Sequence, residues 1–124
     1  MSKVKAERFA GVDVSKDFLD AMVVPDRNHF RQDNNEAGPK RVAGRLKRLG
    51  VQLVVIEATG GYERRLVEEL ALAGVPTAVV NPRKTRDFAR SKGVLAKTDR
   101  IDAEVLAMYA DRIRPEPTTL KSRE

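Results

Sequence analysis

Short apolar runs and helical stripes alternate along this chain, each closed by a turn signal. "FAGVDV" (9–14) is apolar except for Asp13 and reads as a strand covered on both faces. "SKD" separates it from "FLDAMVV" (18–24), a spacing that suits a hairpin, and "PDRN" makes the next turn. "HFRQDN" (29–34) reads as a third strand at a sheet edge. In "EAGPKRVAGRLKRLG", Val42, Leu46 and Leu49 share one helical face, and Gly50 is the stop. "VQLVVIE" (51–57) is a buried strand. The helix in "YERRLVEELALAG" turns Leu66, Val67 and Leu70 inward and ends at Gly74. "VPTAVV" (75–80) is the fifth strand, after which Asn81 caps a helix with Pro82 at its first position. "SKGVLAK" is a loop, and the last helix runs from about Thr98 to Ile113. "RPEPTTLKSRE" has no periodicity and reads as a linker or frayed end.

The order is therefore β-β-β-α-β-α-β-α-α. A hairpin-linked start followed by right-handed βαβ crossovers gives a mixed five-stranded sheet with helices on both faces. Placing the first strand centrally gives the order 3-2-1-4-5, which is the ribonuclease-H-like α/β architecture. Residues 1–113 then form one domain, and 114–124 form a tail. This topology sets the carboxyl ends of strands one and four side by side, where open α/β sheets place their sites.

Two acids stand at that edge. Asp13 lies inside an apolar strand, where an Asp has few structural roles, and Glu57 ends strand four. Asp99 and Asp102 in "KTDRIDAEVLAMYA" are spaced i, i+3 and share one side of a helix turn. Asp102 also leads the apolar stripe Val105, Leu106 and Tyr109. Four converging acids repel one another unless a cation holds them. Two roles stay open for Asp99, helix cap or ligand, with Thr98 competing for the cap. Glu57 likewise either faces the site or charges the next helix's N-terminus. Asp17 and Asp20 read as turn and solvent-face residues, His29 as a surface residue on the edge strand, and Met22, Met108 and Tyr109 as core. Gly60 and Gly61 let the backbone approach a bound phosphate or make a tight strand-to-helix turn. Tyr62 is open to base stacking or to the core.

Charge sharpens this picture. The 124 residues carry 24 Lys+Arg against 18 Asp+Glu, a net +6, with 41% hydrophobic and 34% charged residues. The excess concentrates at Arg83, Lys84, Arg86, Arg90, Lys92, Lys97 and Arg100, opposed by Asp87 and Asp99. That cluster is either a solvated helix face or a polyanion contact. There is no cysteine, which excludes disulfides and thiolate sites and fits a reducing compartment. Oxygen donors with a single His favour Mg²⁺ or Mn²⁺, one or two ions, over zinc. "MSKVKAERFA" has no apolar signal core and no run reaches membrane-spanning length, so a soluble, cytoplasmic protein is expected.

"GVDVSK", "IEATGGYE", "VNPRKTRDFARSKG" and "AKTDRIDA" together resemble, in order and spacing, the N-terminal domain of the DEDD transposases, the Piv-like invertases and their insertion-sequence relatives. The resemblance covers about residues 8 to 112. It implies a RuvC-like, ribonuclease-H-like fold whose acidic tetrad falls on Asp13, Glu57, Asp99 and Asp102 and binds divalent metal. It implies DNA recombination, a structured guide RNA in some members, and a homo-oligomer in the full-length protein. It also places a serine nucleophile in a second, C-terminal domain that these 124 residues do not contain. Beside the tetrad, Lys16, Gly60, Gly61 and the basic residues from Arg83 to Arg100 are the expected nucleic-acid contacts. The rival readings are a stand-alone Holliday-junction-type endonuclease and a non-catalytic nucleic-acid-binding module. An actin-like kinase would need a glycine-rich phosphate loop after strand one, and "DVSKD" has none.

Overall fold

The computed structural model describes residues 7–94 and 98–118. In chain order they form β1 (Arg8–Val14), β2 (Phe18–Val24), β3 (Asn28–Asp33), α1 (Gly38–Arg48), β4 (Val51–Glu57), α2 (Arg64–Leu72), β5 (Thr77–Val80), α3 (Pro82–Ser91) and α4 (Asp99–Ile113). The sheet order is β3-β2-β1-β4-β5, as the topology predicts. β1 pairs antiparallel with β2 and parallel with β4. β3 closes one side antiparallel to β2, and β5 extends the other parallel to β4.

The period of two along each strand sorts side chains into two layers. On one face Ala10, Val12 and Val14 of β1 join Val42 and Leu46 of α1 and Leu66 and Leu70 of α2. On the other, Phe9, Met22, Leu53, Val55 and Val80 pack under Leu106, Ala107, Tyr109 and Ala110 of α4. Each fully buried Val or Leu contributes roughly 1.5–3 kcal/mol. These layers therefore outweigh any single surface ion pair, worth about 0–1 kcal/mol.

α4 lies unusually close to the sheet, and Gly11 is the reason. A Cβ at Gly11 would stand 2.3 Å from the Ala107 nitrogen and 2.5 Å from the Ala103 carbonyl oxygen. Both are backbone atoms, so no rotamer change relieves the clash. Glycine in β1 and small residues in α4 seat the helix on the strand.

Two boundaries differ from expectation. α2 begins at Arg64 rather than Tyr62, because residues 59–63 form a closed loop. The tail, expected as a linker or frayed end, is bonded to β5 through Thr118. The Thr118 N–H donates to the Thr77 carbonyl at 2.8 Å, and its hydroxyl accepts from the Val79 N–H at 2.9 Å. Among the described residues no helix is long and apolar enough to cross a membrane.

Candidate metal centre

The strands lay a row of charged residues on the face beneath α4. Arg31 of β3 is opposite Asp20 of β2, and Asp20 is opposite Asp13 of β1. Glu57 follows Ile56, the β4 partner of Val12, and so ends its strand beside Asp13. Like charges directly opposite one another destabilise a sheet, so the Asp13–Asp20 pair needs an offset.

Arg31 supplies it. Asp20, expected on the solvent face, is only 2% exposed, because alternation in β2 places it on the same side as Met22. Arg31 grips it with a fork, Nε to Oδ1 at 3.0 Å and Nη2 to Oδ2 at 3.1 Å. His29, expected at the surface, is half-buried and stands with its Nε2 at 3.1 Å from the same Oδ1. Leaving a buried carboxylate without such partners costs about 3–5 kcal/mol.

The remaining acids arrive on α4. Thr98 takes the cap, its hydroxyl accepting from the Ile101 N–H at 3.1 Å. Asp99 and Asp102 then occupy the first helical turn, where the N-terminal dipole favours negative charge. One carboxylate oxygen from each of Asp13, Asp99 and Asp102 lies within 4.8 Å of the others. Oxygens sharing one Mg²⁺ lie up to about 4.2 Å apart, so these three stand close to the spacing of a shared ion. The all-carboxylate donor set fits a hard cation. Burial, and then the charges of Asp102, Asp99 and Glu57, push the Asp13 carboxyl up to about 7.

Glu57 stands next to this cluster rather than in it. Its Oε2 accepts from the hydroxyl of Thr85 on α3, and it does not cap α2, whose N-cap residue is Glu63. Thr85 is 1% exposed and escaped the sequence reading. A signal existed, since Thr85, Phe88 and Ala89 form an uncharged i, i+3, i+4 stripe in an otherwise charged helix. Phe88 meets Tyr109 of α4 edge-on at 5.4 Å, which holds α3 to α4.

The glycine loop is built from its own side chains. Gly60 and Gly61 have φ of 88° and 137°, with open space where a Cβ would stand, so they serve the turn. Glu63 accepts from the N–H of Thr59 at 3.1 Å and of Gly61 at 3.2 Å, and from the Thr59 hydroxyl. Burial pushes the Glu63 carboxyl up, but these hydrogen bonds outweigh it and hold it below the usual range. The amides that a phosphate would use are thus engaged by a resident carboxylate. Tyr62 stands out at 52% exposure, which removes the core alternative.

The basic residues line the outside. Arg83, Lys84, Arg86, Arg90, Lys92 and Arg100 are exposed, and so is Lys16 beyond β1. Asp87 offsets Arg90 at 3.8 Å. Lys97 lies outside the described residues.

Known proteins resemble this chain in sequence and in fold. The model of a transposase family, the IS110-type DEDD enzymes, matches residues 10–124. The pilin gene-inverting proteins of Moraxella lacunata and Moraxella bovis are each 26% identical over 116 residues. That match covers 89% of this chain and 36% of theirs, so the chain spans about a third of these relatives' length. Among solved structures, T. thermophilus RuvC in complex with a Holliday junction substrate has a TM-score of 0.66 at 15% identity, covering 91% of this chain and all of that one. A second Thermus thermophilus RuvC structure gives 0.61 at 14%, covering 90% and 99%. The fold is thus RuvC-like, a ribonuclease-H-like sheet. With one family model running from residue 10 to residue 124, the chain belongs to the IS110-type DEDD transposases.

Proposed function

We propose that this chain is the metal-binding catalytic domain of a DNA transposase or recombinase, acting on phosphodiesters with Mg²⁺ or Mn²⁺. The observation that carries the reading is the meeting of Asp13 with Asp99 and Asp102, which come from opposite ends of the chain, within 4.8 Å. Mutual repulsion disfavours that arrangement unless it serves a cation. Asp13, Asp99 and Asp102 would hold one or two ions, with Glu57 completing the set from the β4 side. Bound there, divalent metal supplies positive charge against a reacting phosphodiester.

The chain's own residues do the rest. Thr85 orients Glu57 through its hydroxyl. The same helix presents Arg83, Lys84, Arg86, Arg90 and Lys92 to solvent, so backbone phosphates held there lie beside the acids. Lys16 beyond β1, the Gly60–Gly61 loop and Arg100 on α4, all exposed, would add contacts to the nucleic acid. DNA is supported as partner by the relatives named for gene inversion and by the fold shared with a RuvC in complex with a Holliday junction substrate. A structured guide RNA, homo-oligomers of the full-length protein and a cytoplasmic location belong to the same reading. So does a catalytic unit of residues 1–113, with 114–124 leading to a further domain.

Thermal unfolding with and without Mg²⁺ or Mn²⁺ tests the centre. An ion that binds only the folded state raises the melting temperature by mass action. Asp13→Asn and Glu57→Gln should lose most of that rise. A metal-induced shift that persists undiminished in both variants would sink the assignment.

A further inference from the structure

Asp99 presents a problem of position. Its side chain is 51% exposed, and it stands beside Asp13 and Asp102, whose charges repel it. Nothing about the first turn of a helix prevents such a side chain from swinging out to water. Besides the hydrogen bond it shares with Asp13, an ion pair opposes that motion. Nη2 of Arg31 donates to Asp99 Oδ2 at 2.9 Å, across 68 positions of sequence.

An exposed ion pair of this kind does little when both side chains must be ordered to make it. Arg31 is ordered beforehand. Its fork is closed on the buried Asp20, which His29 also holds, and its guanidinium lies 4.3 Å from the centroid of the Phe18 ring. The guanidinium therefore meets Asp99 from a fixed platform on β2 and β3, and only the aspartate has to be immobilised. A lysine at this place would keep the charge but not the planar fork that reaches two carboxylates at once.

We infer that Arg31 is a positioning residue of the metal centre, holding Asp99 over Asp13, with Asp20, His29 and Phe18 as the platform that fixes it. This rests on the metal-binding reading above. It adds to the four acids a residue from the edge strand that no acidic motif contains. Residues that orient ligands from behind typically change metal affinity 10–100-fold when lost.

The test is calorimetric titration of Mn²⁺ into the 124-residue chain and three variants, with metal-free melting temperatures measured in parallel. Arg31→Ala strands the buried Asp20 and should melt early. The double variant Arg31→Ala with Asp20→Asn removes that stranded charge and should recover most of the melting temperature. Its Mn²⁺ affinity should nevertheless stay at least about tenfold below wild type. Arg31→Lys should likewise bind Mn²⁺ weakly, since charge alone does not restore the fork. Wild-type affinity in the double variant would reduce Arg31 to a counter-charge for Asp20, and tighter binding would make it a competitor of the ion; either overturns the inference alone. Failure of the wild-type chain to bind Mn²⁺ would overturn the metal centre, and the role of Arg31 with it.

Discussion

Asp13 holds its proton up to about pH 7 because burial and three neighbouring carboxylates disfavour its charge. In the unfolded chain an aspartate titrates near about 4, so between these values the folded state binds the extra proton. The metal-free chain should therefore lose stability as pH rises from about 4 to about 7, and no more from this group above that. Glu63 acts in the opposite sense, its stabilisation lost as pH falls through its lowered folded value. Urea unfolding over that pH range, comparing wild type with Asp13→Asn, isolates the first effect. An identical pH slope in the two proteins would remove Asp13 from the centre. Because metal and proton compete for the same oxygens, Mn²⁺ affinity should climb through about pH 7 and then level off. At this scale the meeting of Asp13 with Asp99 and Asp102 could be read from topology and spacing, and the supports around it could not. Asp20 and Thr85 read as solvent-facing or unremarked because their partners lie 11 and 28 positions away. Long-range pairs of that kind leave no periodic trace.

Among the elements, α4 and α3 carry separable duties. Gly11→Ala places a Cβ against the backbone of α4, and overpacking of this kind costs about 1–3 kcal/mol. The relief available is a shift of the helix, which moves Asp99 and Asp102 away from Asp13. Stability and Mn²⁺ affinity should fall together in Gly11→Ala. Gly60→Ala, strained by its positive φ in open space, should leave metal affinity unchanged. Equal metal affinity in Gly11→Ala and wild type would separate helix seating from the site. On α3, alanine at Arg83, Arg86 or Arg90 should each flatten the salt dependence of DNA binding by about one log–log unit. Slopes unchanged from wild type would make the helix a solvated face. The elements themselves could be read from the chain because turn signals such as Gly50, Gly74 and Asn81-Pro82 punctuate clear apolar periods. The start of α2 was misread because Glu63 spends its side chain on the preceding loop, a choice that helix periodicity does not register.

For the whole molecule, the sheet order followed from connection rules, since a hairpin start and right-handed crossovers leave few arrangements. The attachment of Thr118 to β5 did not follow, because a Pro- and Thr-rich tail carries no register of its own. Recombination by covalent exchange needs a nucleophile. The Ser15 hydroxyl sits in the tight turn after β1, accepting from the Phe18 N–H at 3.1 Å, and Ser91 donates to the Phe88 carbonyl at 2.6 Å. Both hydroxyls serve local turns. The 124-residue chain with Mn²⁺ and labelled branched DNA should therefore bind, and at most nick, without a protein-linked band on denaturing gels. A linked band that disappears in Ser15→Ala or Ser91→Ala would place the nucleophile in this chain. The covering of β1, β2 and β4 by α4 has a consequence for synthesis on the ribosome. A nascent chain that has reached Ser91 already holds every strand, Asp13 and Glu57, yet Phe9, Met22, Leu53 and Val55 still lack their cover and two of the three clustered acids do not exist. The cluster of Asp13, Asp99 and Asp102 therefore assembles only once the segment that covers those core residues has been made.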